Sequence, residues 1–360
     1  MKHLRMALIG AGQIAKVTHI PNYISMPEVE LVGICDVRLE AAHKVADTFH
    51  IPHFFDSSTK MLRELRPDAV TVCVPNKFHY QTVMEALDRG CHVFCEKPPA
   101  ITVEEAEQME KKACEKKCLL SYGFHLRSSE EVQFLHRAIE QNMLGEIYHV
   151  EVKWRRRRGI PGWGNFIDRE IQGGGPLIDI GAHVLDSALY LLNYPRIEYV
   201  CATSSSRIGK NYHSGLMGEW KPEKFTIEDA LFGFVKFKDG RSLEIQTSFA
   251  LNQKERDIKN ILLYGDKCGA QLFPLEMYGE EAGHPYDKTY PFIGQKDLHM
   301  ELDRNFVQAC LGREPLLVKP QQGTYIQRLI GLLYEAAETG LPVLFGGDGV
   351  KNGVCGYETL

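Results

Sequence analysis

Asp179 and His183 lie four apart in GGGPLIDIGAHVLD, residues 173–186, a spacing that puts both on one face of a helix. A histidine is the natural group to take a hydroxyl proton near neutral pH. The small residues Gly181 and Ala182 leave space for a ligand on that face. Asp179 would also suit a helix N-terminus, and His183 a satisfied core position. Lys97 stands in HVFCEKPPA, residues 92–100, where an apolar run meets Glu96, Lys97 and two prolines without a spacer. The prolines deny the strand further ladder bonds and fix its exit. A lysine there can bond a substrate hydroxyl and stabilise its alkoxide. The plainer alternative is a surface Glu–Lys pair at a strand end. Lys97–Pro98 is a candidate cis bond, since X-Pro turns are where such bonds occur.

A second group of residues suits a dinucleotide. GAGQIA, residues 10–15, has the form G-x-G-x-x-A after an apolar run. Gly10 permits the tight turn, Gly12 lets backbone approach a pyrophosphate, and Ala15 allows close helix–strand packing. Gln13 and Ile14 complete this turn, and the helix that follows offers free N–H groups to phosphate. Asp36 closes the next apolar run, 24 residues past Gly12, where an acid can bind the adenosine ribose hydroxyls. A carboxylate repels a 2′-phosphate, which favours NAD. Arg38 can stack on adenine or serve a phosphate, which keeps NADP open. VPNKFH, residues 74–79, supplies Val74, Pro75 and Asn76, whose amide can bond ribose or nicotinamide groups. His79 is a cofactor contact or a surface residue at a helix start. Glu96, Lys97 and Pro98 lie on the same rim.

KWRRRRGIPGWG, residues 153–164, is the third region. On a strand, Trp154, Arg156 and Arg158 share one face, with Arg155 and Arg157 on the other. Trp163 can stack on a sugar ring. His125, Arg156, Arg158 and Trp163 are the candidate substrate contacts. A salt-bridged sheet edge also explains the arginines.

The elements that carry these residues fall into two textures. Apolar runs at 5–10, 29–35, 68–74, 91–95 and 119–123 alternate with helix-like segments at 13–25, 38–49, 59–65, 78–89 and 103–117. Continuous apolar strands are the mark of a parallel sheet covered on both faces, built from right-handed βαβ units. Ligands bind such sheets beyond the strand carboxyl ends, where the first two groups fall. After about residue 124 come a helix at 129–143, a strand at 147–154, a glycine-rich loop and a helix at 179–193. A run of strands follows, with Asp239–Gly240 as a two-residue hairpin signal, then helices near 298–311 and 320–339. The expected organisation is a Rossmann domain at 1–123 and an α/β domain at 124–360 with a mostly antiparallel sheet.

The bulk numbers agree with a two-domain globular protein: 360 residues, 44% hydrophobic, 25% charged, net charge −5. No nucleic acid or membrane partner is indicated. The apolar part of the N-terminus, Met6 to Ile9, is too short for a signal peptide, and no run reaches the roughly 18 apolar residues of a membrane span. A cytoplasmic location is expected. The ten cysteines include C-x3-C pairs at Cys91/Cys95 and Cys114/Cys118. The first pair lies on a strand and spans about 13 Å, too far for one tetrahedral ion. No metal is expected, and the cysteines read as reduced and mostly buried.

GAGQIA, Asp36, VPNKFH, EKPPA and DIGAHVLD, in this order, resemble the Gfo/Idh/MocA oxidoreductases over nearly the whole chain. The resemblance implies a Rossmann domain and an α/β domain whose open sheet makes a homodimer or homotetramer. It implies NAD(P)-dependent oxidation or reduction of a secondary CH–OH in a sugar, inositol or related polyol. The family's catalytic lysine falls on Lys97, and its aspartate and histidine on Asp179 and His183. Two alternatives accompany it: a redox-neutral NAD-dependent glycosidase acting through a transient keto-sugar, and a non-catalytic NAD-binding sensor.

Overall fold

The computed structural model describes residues 3–346. Within them the chain divides into two compact units. One comprises the chain through His125 together with Asp297–Gln327, and the other begins with Leu126–Lys296 and resumes at Arg328. A single crossing near residue 124 therefore misses a return, because residues 297–327 count with the first unit.

The first unit is built on six parallel strands: β1 (Leu4–Ile9), β2 (Val29–Cys35), β3 (Phe54–Phe55), β4 (Ala69–Val72), β5 (His92–Cys95) and β6 (Leu120–Tyr122). Their order is β3-β2-β1-β4-β5-β6, the doubly wound dinucleotide-binding order. Met6, Ala7, Leu8, Val70, Val72 and Val93 are fully buried, because helices cover both faces. These are α1 (Ile20–Ile24), α2 (Leu39–Phe49), α3 (Ser58–Leu65), α4 (His79–Asp88) and α5 (Val103–Lys116).

The expected helix at 13–25 is not uniform: a π-helical turn, Ala15–His19, precedes α1. Pro21 explains it. Proline has no N–H to give and its ring crowds the carbonyl four residues back, so the preceding turn widens. Gly10 N–H donates to Cys35 O, joining β1 to the end of β2.

The second unit holds α6 (Glu130–Glu140), β7 (Ile147–Arg156), α7 (Arg169–Gln172), a π-helical turn (Leu177–Gly181), α8 (Ala182–Leu192), β8 (Ile197–Ser205) and α9 (Arg207–Asn211). A two-stranded ribbon, β9 (Ser214–Gly215) and β10 (Gly218–Glu219), is followed by β11 (Ala230–Phe237), β12 (Ser242–Ser248), β13 (Asp257–Gly265), β14 (Cys268–Gln271), β15 (Glu276–Glu281) and β16 (His284–Thr289). After these come α10 (Leu298–Cys310), of the first unit, then α11 (Pro320–Thr339), and β17 (Val343–Leu344). The large sheet runs β16-β15-β14-β13-β7-β12-β11-β8-β17. It is antiparallel except for the β7–β12 pair. The Asp239–Gly240 hairpin forms, but with a longer loop than two residues: Phe237 N–H donates to Arg241 O, and Gly240 takes φ 92°.

One face of the sheet packs α8, whose residues are almost all buried. A helix buried on nearly all its sides needs such a place. The opposite face carries polar and aromatic side chains, among them Glu151, Arg155, Gln246 and Tyr264, bonded to one another. Eight described cysteines are free thiols.

Candidate active site

At the carboxyl rim of the parallel sheet, Gly10 takes φ 105°, and a Cβ there would lie 2.4 Å from Cys73 O. Only glycine fits. Gly12 is different, since its nearest neighbour to a Cβ, Cys73 O, is 3.9 Å away. The space over Gly12 is left by the protein and suits a closely approaching phosphate. Asp36 lies beside this turn. Its Oδ2 accepts from Ala11 N–H at 3.0 Å and its Oδ1 from Arg38 N–H at 2.9 Å. Arg38 is mostly exposed, with Nε 3.5 Å from the same carboxylate. Gln13 is exposed and Ile14 half-buried, at the start of the helical turn. Val74 is half-buried, Pro75 exposed, and Asn76 opens a 3-10 turn. These residues fit a dinucleotide: a glycine turn open to phosphate, helix-start amides and an acid at the end of β2.

His79 does something else. It is fully buried, with Nδ1 2.7 Å from Pro98 O and Nε2 3.0 Å from Val74 O. Burial lowers its pKa, opposed by the two carbonyls. The ring stands between the VPN turn and the EKPP turn, with both nitrogens facing backbone carbonyls. Pro98 is buried beneath the same contact, and the Lys97–Pro98 bond is cis.

Glu96 follows on the same rim. Its carboxylate turns inward: Oε1 lies 2.9 Å from His19 Nε2, and Oε2 accepts from Lys97 N–H at 3.2 Å. His19 Nδ1 in turn faces both oxygens of Asp303, at 2.9 and 3.0 Å. Burial works against the charge on both groups, but the ion pairs and hydrogen bonds prevail. The His19 pKa rises to about 10 and that of Glu96 falls to about 2. Lys97 is half-buried at the turn above. His125, just past β6, stacks on His299 at 4.1 Å between ring centroids. Burial lowers the His299 pKa, against the nearby Glu96 charge.

In the second unit the π-helical turn Leu177–Gly181 carries Asp179, half-buried, and α8 carries His183, 5% exposed. The Trp154 ring of β7 lies 6.1 Å from the His183 ring. Gly181 packs so close that a Cβ there would be 2.8 Å from Thr247 Cγ2 of β12. Thr247 and Trp154 are register partners. Trp154 Nε1 and Thr247 Oγ1 are buried and have no hydrogen-bond partner among the described residues, so two polar atoms stand ready for a water or a hydroxyl. The turn before Asp179 is held by Glu228, which accepts from Gly175 and Leu177 N–H and from Tyr334 Oη.

The arginines divide. Arg156 lies over Trp154, 5.7 Å from its centroid, and over Phe249 at 5.9 Å. Arg155 crosses to the other sheet face and bonds Gln246. Arg158 gives its donors to Arg157 O, Leu251 O and Asn252 Oδ1. Those bonds fasten a loop. Trp163 is half-exposed on the glycine-rich loop, edge-on to Phe166.

His19, Asp303 and Glu228 escape sequence reading because their partners are distant along the chain. One signal existed. Asp303 shares the buried stripe of α10 with Leu302, Phe306 and Val307, and an acid on an apolar stripe needs a partner.

Residues 4–124 match the model of the oxidoreductase family with an NAD-binding Rossmann fold, and residues 132–271 match the C-terminal domain of the same GFO/IDH/MocA group. The chain belongs to the Gfo/Idh/MocA family. It is an NAD-binding oxidoreductase. Within that family it is 42% identical to the D-glucoside 3-dehydrogenase of Escherichia coli, over 94% of this chain and 97% of that protein. Levoglucosan dehydrogenase, solved with NADH and levoglucosan, shares the fold with a TM-score of 0.83 at 19% identity, covering 98% of this chain and all of that one. The aldose-aldose oxidoreductase of Caulobacter crescentus does so with a TM-score of 0.79 at 22% identity, over 96% and 100%.

Proposed function

We propose that this protein oxidises a secondary CH–OH of a glucoside or related cyclic sugar with NAD. The observation that carries the reading is the 42% identity to a D-glucoside 3-dehydrogenase along 94% of the chain. The setting of His183 supports it: a histidine beside Trp154 and two unpartnered buried polar atoms suits a hydroxylated ring.

Gly10, Gly12, Gln13, Ile14, Asp36, Arg38, Val74, Pro75 and Asn76 would hold the dinucleotide, with Lys97 and Pro98 at the nicotinamide end. When bound, the nicotinamide supplies the hydride acceptor. His183 takes the proton of the hydroxyl being oxidised. Lys97 donates to the same oxygen and steadies its developing negative charge. Asp179 orients the histidine or bonds a neighbouring hydroxyl. Arg156 and Trp163 contact the sugar, and so does His125. Arg38 leaves NADP as a weaker alternative. A cytoplasmic location and a homodimer or homotetramer through the large sheet belong to the same proposal. No described helix is long and apolar enough to cross a membrane.

The test mixes the protein with NAD and a panel of glucosides, aldoses and inositols, following NADH absorbance and product mass. NADH with a product two hydrogens lighter is the expected result. A cleaved glycoside without NADH would replace the reading with redox-neutral chemistry. Lys97→Ala and His183→Ala should each lower turnover about 10²–10⁴-fold while NAD still binds. Near-normal turnover in both would overturn their assignment.

A further inference from the structure

Beneath the EKPP turn three ionisable side chains form a buried chain. Asp303 of α10 and His19 of the π-helical turn are each 1% exposed at the side chain, and Glu96 is 12% exposed. His19 and Asp303 are 284 positions apart in sequence. Both imidazole nitrogens face carboxylate oxygens at 2.9–3.0 Å. Only a ring that donates from both nitrogens satisfies both acids, so His19 is an imidazolium. Asp303 is fixed independently by Asn22 Nδ2 at 2.8 Å and Tyr23 Oη at 3.4 Å, and Tyr23 Oη bonds Thr71 Oγ1 at 2.7 Å. Phe94 packs edge-on against the imidazole at 5.4 Å and against Phe306 of α10 at 5.6 Å.

Such a cluster is an expensive way to stabilise a core. Apolar side chains of the same volume do as well or better. What charge adds is a fixed orientation at the far end. That end is the second oxygen of Glu96, which accepts from the backbone N–H of Lys97.

We propose that Asp303 and His19 are positioning residues for Lys97, acting through the Glu96 carboxylate, so that α10 sets the orientation of the turn that bears the reactive amine. The role of Lys97 itself rests on the proposed function; its dependence on Asp303 does not.

Asp303→Asn keeps the shape and removes the charge. In the full-length protein, Lys97 is labelled with an amine reagent without substrate. Its rate is read by peptide mass spectrometry against Lys111, whose side chain is 79% exposed. The Lys97 rate should change several-fold in the variant relative to Lys111. NAD affinity, by calorimetry, should stay near wild type. Turnover at saturating NAD and substrate should fall about 10²-fold, the cost of a misplaced group, and Asp303→Glu should restore much of it. Asn22→Ala loosens the same acid without removing charge, should move labelling less in the same direction, and serves if Asp303→Asn does not fold. An unchanged Lys97 rate in folded variants overturns the proposal even where the wild type is active. A changed rate in a protein inactive on every sugar upholds the positioning and overturns the functional reading instead.

Discussion

Gly10 and Gly12 look alike in the motif but answer to different forces. At Gly10 the backbone itself forbids a side chain, through φ 105° and a carbonyl oxygen 2.4 Å from any Cβ. Gly10→Ala should therefore destabilise the first unit by about 1–3 kcal/mol or more and lower the melting temperature. At Gly12 the nearest atom is 3.9 Å away, so Gly12→Ala should leave the melting temperature near wild type and weaken NAD binding. Equal losses of stability would show that Gly12 serves the fold rather than the ligand. The type of residue at each motif position was readable from sequence. The direction a side chain takes was not: His79 and Glu96 lie in cofactor motifs yet point into the protein, because buried carbonyls and an imidazolium claim them.

At the scale of elements, α8 depends on an ion pair no spacing could reveal. Asp186, fully buried on α8, pairs with Arg127, which also donates to Tyr194 Oη and lies 4.8 Å from the Tyr190 ring centroid. Asp186→Ala leaves the guanidinium buried without its counter-charge and should cost about 3–5 kcal/mol, read by urea unfolding. A variant with Arg127→Met and Asp186→Leu together should recover most of that loss. If the single change costs less than about 1 kcal/mol, the level of an exposed pair, the pair does not hold α8. Most strands of the first unit were legible because a strand covered on both faces must be continuously apolar. β3 was missed because two residues carry no period. β15 and β16, EMYGEE and HPYDKT, carry little apolar signal: β15 buries only Met277, and β16 is almost wholly exposed.

For the whole molecule the open sheet face is the feature with consequences. Phe232 is 36% exposed there, the Tyr199 and Phe234 rings lie 6.4 Å apart, and Tyr264 bonds Glu151. If this face joins copies of the chain, light scattering should give a dimer or tetramer, and Phe232→Arg with Phe234→Arg should lower the mass toward one chain. A monomeric wild type would refute the assembly. The chain alone determined the βαβ alternation, the glycine turn, the acid closing β2 and the two motifs carrying Lys97 and His183, because these follow from local period and residue chemistry. Only the tertiary structure decided that residues 297–327 return to the first unit, that Asp303 meets His19 across 284 positions, and that Arg158 fastens a loop. Those outcomes depend on which buried charges and donors find each other in space, and a buried charge must find its partner wherever along the chain that partner lies.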